Sequence, residues 1–286
     1  VTVSLAMGSA PFGQMPGGRF NDAVTVHGRA LYFERSPRRV RGLLSGETVV
    51  DSRRVMLLHE TGHLPVWHFP AEDVRQELLE PTDRSTHCPL KGDARYWTVR
   101  AGGRAAENAV WSYPEPIAGA PDISGYLAFY FARLDAWYEE DEQVFVHPRD
   151  PYHRVDAMPT SRHLRVSLDG QLLAESDRAT ALFETGLQPR WYLPPGDVTA
   201  TLEPSDVTSR CPYKGQARYW SVRVGDRVEN VLVWAYDEPL PAVAPITGLQ
   251  CFFDERCDVE IDGEVQPRLA TPWATDGWAR RRREAA

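Results

Sequence analysis

Two stretches decide the fold: Cys88-Pro89-Leu90-Lys91-Gly92-Asp93-Ala94-Arg95-Tyr96-Trp97 and Cys211-Pro212-Tyr213-Lys214-Gly215-Gln216-Ala217-Arg218-Tyr219-Trp220. Each is a Pro- and Gly-bearing turn that runs into an aromatic segment with the alternation of a strand. Working outward, Glu60-Thr61-Gly62 and Pro65-Val66-Trp67 return as Glu184-Thr185-Gly186 and Pro189-Arg190-Trp191, at an offset of 124. The cysteine stretches, Trp111-Ser112-Tyr113 against Trp234-Ala235-Tyr236, and Ile123-x-Gly125 against Ile246-x-Gly248 are offset by 123, so one deletion near Leu79 accounts for the register. Residues Asp51 to Tyr130 therefore reappear as Glu175 to Phe253, a tandem duplication of one domain rather than a solenoid.

Strand signals dominate both copies. His163 to Leu168, Ala217 to Val224 and Val231 to Tyr236 are rich in Val, Trp, Tyr and Leu, and Gly102-Gly103, Asp169-Gly170, Gly225-Asp226 and Asp262-Gly263 punctuate them as turns. With 23 prolines and 21 glycines, few windows are left for a helix, and the best one is Ala71 to Leu79, one or two turns after Pro70. The expected class is all-β with minor short helices: two tandem domains, each a small, strongly curved β domain. The expected order is a flexible arm over 1–20, a first domain over 21–138, a linker over 139–160, a second domain over 161–270 and a tail over 271–286. The linker holds two prolines three apart, and its His147, Arg149, Asp150, His153, Arg154 and Asp156 predict an extended segment docked on the surface of one or both domains.

At 286 residues the chain is about two domains long, with 42% hydrophobic and 25% charged residues, enough to form cores without staples. A net charge of −8 argues against non-specific nucleic-acid binding, and no apolar run reaches the roughly 20 residues of a membrane helix. The Gly- and Pro-rich first 20 residues do not read as a secretory signal, and the basic block Arg280 to Arg283 reads as a solvated end. Four isolated cysteines, Cys88, Cys211, Cys251 and Cys257, form neither a disulfide framework nor a Cys-x-x-Cys pair, so a cytoplasmic chain with reduced thiols is expected.

The combination Glu-Thr-Gly, Pro-x-Trp, Leu-Glu-Pro, Cys-Pro-x-Lys-Gly-x-Ala-x-Tyr-Trp and Trp-x-Tyr resembles the domain-of-unknown-function 427 family, present twice between about Val40 and Arg268. The resemblance implies a β-tent domain similar to cereblon's ligand-binding domain, methionine sulfoxide reductase B and glutathione-dependent formaldehyde-activating enzyme. It also brings a nucleotidyltransferase-like label but no established reaction, and tandem members of the family carry a comparable linker. Several β-tent relatives hold zinc through paired Cys-x-x-Cys hairpins. This chain has none, so no cofactor is expected and zinc least of all.

The sharpest chemical signal is a count. Of 32 basic residues only Lys91 and Lys214 are lysines, and both stand in Cys-Pro-x-Lys-Gly. A place that stays lysine while every other cation is arginine points to a compact ammonium or to an amine able to lose its proton; a tight turn too small for a guanidinium is the plainer account. Glu60 and Glu184 are the natural acidic partners, either as general bases beside an electrostatic lysine or as turn-stabilising ion pairs. Cys88 and Cys211 read as ligand-facing or simply buried thiols, since His87 beside the first becomes Arg210 beside the second.

Trp67, Trp97, Trp111 and Tyr113 match Trp191, Trp220, Trp234 and Tyr236, and are expected to wall a pocket or to be core; Tyr96 and Tyr219 would place a hydroxyl at its rim. His147, Arg149 and His153 of the linker would complete the site or act as a strap. The leading expectation is one Lys/Glu/aromatic pocket per domain for a small anionic or planar metabolite. The rivals are a nucleotidyl- or group-transfer enzyme using nucleotide and divalent metal, and a structural or protein-interaction module. Neither a Gly-x-x-x-x-Gly-Lys-Ser/Thr loop nor a Lys-x-Asp-Gly occurs, which weighs against the first rival.

Overall fold

The computed structural model describes residues 30–268, 271 and 273–279; the arm expected over 1–20 and the block Arg280 to Arg283 lie outside the described residues. The chain divides between His153 and Arg154 into two compact units.

The first unit contains β1 (Leu31–Arg35), β2 (Val40–Leu44), β3 (Glu47–Ser52), β4 (Met56–Glu60), β5 (Val66–Pro70), β6 (Leu79–Cys88), β7 (Gly92–Ala101), β8 (Arg104–Ser112), β9 (Tyr126–Phe129), β10 (Ala136–Glu139) and β11 (Glu142–Val144). They form a seven-stranded sheet in the order β1-β4-β5-β9-β8-β7-β6 and a four-stranded sheet in the order β11-β10-β2-β3.

The second unit repeats this with β12 (Val155–Pro159), β13 (Leu164–Leu168), β14 (Gln171–Ser176), β15 (Thr180–Glu184), β16 (Arg190–Leu193), β17 (Leu202–Cys211), β18 (Gly215–Val224), β19 (Arg227–Ala235), β20 (Gln250–Phe252), β21 (Asp258–Ile261) and β22 (Glu264–Val265). Its sheets run β12-β15-β16-β20-β19-β18-β17 and β14-β13-β21-β22. The fold is all-β, in two similar halves of the curved-sheet kind that the resemblance implies.

The turns follow from the sequence. Asp169-Gly170 and Asp262-Gly263 have positive φ at both residues, as a tight hairpin requires. The helix expected over Ala71 to Leu79 is instead two 3-10 turns, Ala71–Asp73 and Gln76–Leu78. Val74 between them is extended, because it bridges to Val50 while the Arg75 amide donates to the Val49 carbonyl at 2.9 Å. Pairing a buried valine with the four-stranded sheet outweighs continuing a helix with no buried face.

The segment 139–160 is divided between the two units. Arg149 ion-pairs with Glu139 and Glu142 in the first unit, whereas Val155–Pro159 is an edge strand of the second, antiparallel to β15. It stands where Leu31–Arg35 stands in the first unit, against β4. The threonine of each Glu-Thr-Gly turn fixes that edge: Thr61 Oγ1 accepts from the Ala30 amide at 3.0 Å, and Thr185 Oγ1 accepts from the Arg154 amide at 2.9 Å.

Two buried clusters lie on opposite faces of the first unit's large sheet. One packs Val40, Leu44, Phe69 and Trp67 around Trp137, whose indole N–H donates to the Phe131 carbonyl at 2.9 Å. The other is small: Ala94, Tyr96, Tyr113 and Ile123, with Phe33, Cys88 and Trp111 against it. In the second unit the corresponding residues merge into one cluster that also takes in Trp278 and Ala279. Among the described residues no helix is long and apolar enough to cross a membrane.

Candidate functional site

The site is built on two turns. In the first, the Lys91 amide donates to the Cys88 carbonyl at 3.2 Å, closing a turn with Pro89 at its favoured second position. Gly92 follows at φ +101°, and a Cβ there would lie 3.1 Å from the Glu115 carbonyl oxygen and 3.2 Å from the Ile117 side chain. In the second turn the His63 amide donates to the Glu60 carbonyl at 2.9 Å, with Gly62 at φ +82° as a type II turn requires. The second unit repeats both: Gly215 at φ +98° near the Glu238 carbonyl, and Leu187 donating to Glu184 at 3.0 Å with Gly186 at φ +74°.

These turns bring the two lysines onto the two glutamates. Lys91 Nζ donates to Glu60 Oε2, and Lys214 Nζ donates to Glu184 Oε2, with all four side chains at most 12% exposed. The Lys91 ammonium also lies 5.7 Å from the centroid of the Tyr113 ring. Burial is the largest influence on Lys214 and lowers its pKa, but Glu184 and Cys211 together outweigh it and hold the ammonium above its ordinary value. Burial, then the neighbouring Cys88, Tyr96 and Glu60, push the Tyr113 phenol up; Tyr236 is raised in the same way, by burial first and then Tyr192, Cys211, Tyr219 and Glu184. Lys214 is thus a charged, paired ammonium and the two phenols are protonated.

An aromatic face adjoins each pair. Tyr96 is opposite Trp111 in the β7–β8 register, and Tyr219 opposite Trp234 in β18–β19. The Tyr96 hydroxyl is 2.8 Å from Thr86 Oγ1, and that of Tyr219 is 2.7 Å from Ser209 Oγ. Trp111 and Tyr130 have ring centroids 4.5 Å apart at 43°; Trp234 and Phe253 are 4.4 Å apart at 44°. The same construction is therefore held in both copies.

Not every expected residue joins it. Strand alternation sends Trp67 to the opposite core, 5.4 Å from Trp137, and Trp97 packs there too. Trp220 lies under the Arg218 guanidinium at 4.3 Å, and Trp191 under Arg162 at 5.8 Å. Of the linker residues, His147 Nδ1 is 2.7 Å from the Pro148 carbonyl, the His153 amide donates to the Asp150 carbonyl at 3.1 Å, and Arg149 pairs with Glu139 and Glu142. Burial first, against a backbone hydrogen bond, lowers the His147 pKa.

Two residues outside the expected site set belong to it. His68 is buried near Lys91 with its edge to Phe33, and burial depresses its pKa to about 4, so the ring is neutral. Tyr192 takes its place in the second unit and accepts a hydrogen bond from Trp234 Nε1 at 3.0 Å. The signal was available: residues 66, 68, 94, 96, 111 and 113 share a face if the period of two is run from Tyr96 through its cross-strand partners.

Among the described residues, one surface depression of the second unit is lined by Arg165, Ser167 and Asp258 among others and another by His163, Asp177 and Asp197; both lie among residues outside this site. Among the described residues no group of three or more His, Cys, Asp or Glu is arranged to hold a metal ion, and all four cysteines are free thiols.

Fold and site together define a tandem β protein in which each copy sets a buried Lys–Glu pair beside an aromatic face. The chain belongs to the family described as domain of unknown function (DUF427), whose model matches residues 32–140 and again 156–263. A comparison with curated proteins gives no match.

Proposed function

We propose that the chain is a tandem small-molecule-binding protein, in which a planar or anionic ligand rests on the aromatic face and the Lys–Glu pair organises that face. The observation that carries this reading is the duplicated construction: the Lys–Glu pair, the hydroxyl-anchored tyrosine and the tilted ring pair recur with matched distances in both units. Assembling an ammonium, a carboxylate and phenols within apolar surroundings costs desolvation free energy, and a purely structural core would reach similar stability with apolar residues of the same volume. Each lysine is engaged by its own glutamate, so the pair favours binding over Schiff-base or general-base chemistry.

A thermal-shift panel on the full chain tests this reading, with nucleotides with and without magnesium, small aldehydes, cyclic imides and carboxylates. A ligand at 100 times its dissociation constant should stabilise by about 2.7 kcal/mol. The expected result is a hit retained in Trp97→Leu, on the opposite face, and lost when Trp111→Leu is combined with Tyr130→Ala. Stabilisation by nucleotide only with magnesium would favour nucleotidyl transfer. A panel without hits would favour the structural module, for which the mutual Lys–Glu pairing is the supporting observation.

A further inference from the structure

The two aromatic faces are built alike but end differently. In the second unit the face is covered by the chain itself: the Trp278 ring lies 5.2 Å from Tyr219 and 5.6 Å from Phe253, and is only 9% exposed. The segment that carries it is anchored by residues that the first unit lacks. Thr271 Oγ1 donates to Glu255 at 2.8 Å, and the Arg190 guanidinium, itself paired with Glu255 and Asp254, lies 6.0 Å from the centroid of Trp273. The positions matching Arg190, Asp254 and Glu255 are Val66, Phe131 and Ala132.

In the first unit no described residue takes the place of Trp278 over the face, and Tyr130 is 40% exposed at its edge while Tyr96 is 5% exposed. Its chemistry has changed to match. Val207, 3% exposed beneath the covered face, corresponds to Arg84, whose exposed guanidinium stands over the Tyr96 ring at 4.8 Å. Phe253 corresponds to Tyr130, which adds a hydroxyl. Arg256, held by the Asn230 and Val231 carbonyls and by Glu229, corresponds to the exposed Arg133. Arg84 and Arg133 both bear electrostatically on the Tyr130 phenol, and among the described residues neither has an acidic partner. The Trp278 indole N–H is buried without an acceptor in the second unit, whereas the first unit carries the Tyr130 hydroxyl in place of the Phe253 ring edge.

We propose that the open face of the first unit, Tyr96, Trp111 and Tyr130 beside Arg84 and Arg133, binds an aromatic carboxylate of about indole size, seated as Trp278 is seated in the second unit. This rests on the binding reading above and specifies it: one copy takes the ligand, and the other carries an internal stand-in for the ligand's ring. The ring stacks on the tilted Trp–Tyr pair, and the carboxylate meets two guanidiniums that have no acidic partner among the described residues, the geometry arginine serves best. The buried Lys–Glu pair is neutral as a unit, so the preference for an anion comes from these two arginines.

The test is isothermal titration of the full chain with indole-3-carboxylate and with neutral indole. The expected result is one equivalent of carboxylate bound, at least tenfold tighter than indole. Arg84→Val with Arg133→Ala, both at exposed positions, should weaken the carboxylate at least tenfold and indole less than twofold. Trp278→Ala should leave the first equivalent in place and add a second for indole. The proposal is overturned if the carboxylate binds no tighter than indole, if the arginine variant keeps its affinity, or if the wild type already takes two equivalents. A different ligand that is lost in Trp111→Leu with Tyr130→Ala would overturn this assignment and leave the broader reading intact. No binding of any panel member would overturn both.

Discussion

Lys91 and Lys214 are held in a place where one partner without the other is costly. Replacing Lys214 with Met takes the ammonium away from the buried Glu184 carboxylate, and the second unit should lose about 3–5 kcal/mol. Adding Glu184→Leu should recover most of that loss, because an apolar pair needs no compensating charge. Urea unfolding of the single and double variants checks both outcomes, and a double variant no more stable than the single would show the glutamate to be satisfied elsewhere. The same site carries an alkaline signature. The Lys214 pKa is raised in the folded state, burial being overcome by Glu184 and Cys211. The stability it contributes is therefore fully present below the ordinary value of 10.5 and is lost as pH rises through the higher folded value. A wild-type melting temperature that falls above pH 10.5 more steeply than that of the apolar double variant is the expected outcome.

At the level of the turns, glycine matters for two separable reasons. Gly62 has φ +82° with nothing within 4 Å of a prospective Cβ, so Gly62→Ala should cost only the left-handed strain, about 1–2 kcal/mol. Gly92 combines φ +101° with the Glu115 carbonyl and Ile117 at 3.1–3.2 Å, so Gly92→Ala should cost more and displace Lys91 as well. Denaturation midpoints of the two variants rank them, and equal losses would mean that the close approach relaxes freely. These turns were legible because the repeat printed them twice in sequence, with the lysine, glutamate and glycine at fixed spacing. The division of the tryptophans was not. Trp97 and Tyr96 are neighbours in sequence and lie on opposite faces of one strand, which a count of aromatics treats as one cluster. The cap was invisible for a different reason: Trp278 has no counterpart in the repeat, and the residues that seat it, Arg190 and Glu255, are scattered through the chain.

Across the whole molecule the duplication leaves one asymmetry with a direct thermodynamic consequence. His68 and Tyr192 occupy the same position, and only the histidine titrates between pH 4 and 7. Burial depresses the His68 pKa to about 4, the Val66 carbonyl opposing and the Lys91 ammonium reinforcing the shift. A base whose folded pKa lies below its unfolded 6.5 binds fewer protons in the native state than in the unfolded one. The first unit should therefore be unaffected above pH 6.5, lose stability progressively as pH falls from about 6.5 to about 4, and level off below that, for a total of about 3 kcal/mol. The second unit has no such term at Tyr192, whose pKa burial raises far from this range. His68→Tyr is the natural control. The Trp234 indole donates to the Tyr192 hydroxyl at 3.0 Å, and Trp111 stands in the corresponding place to serve the new phenol. Thermal melts at pH 7, 5.5 and 4.5 should show a wild-type transition that moves with acid and is flattened by His68→Tyr. Equal acid slopes in the two proteins would mean that the imidazole is protonated in place beside Lys91, and that the cluster around the Lys91–Glu60 pair accommodates a second cation.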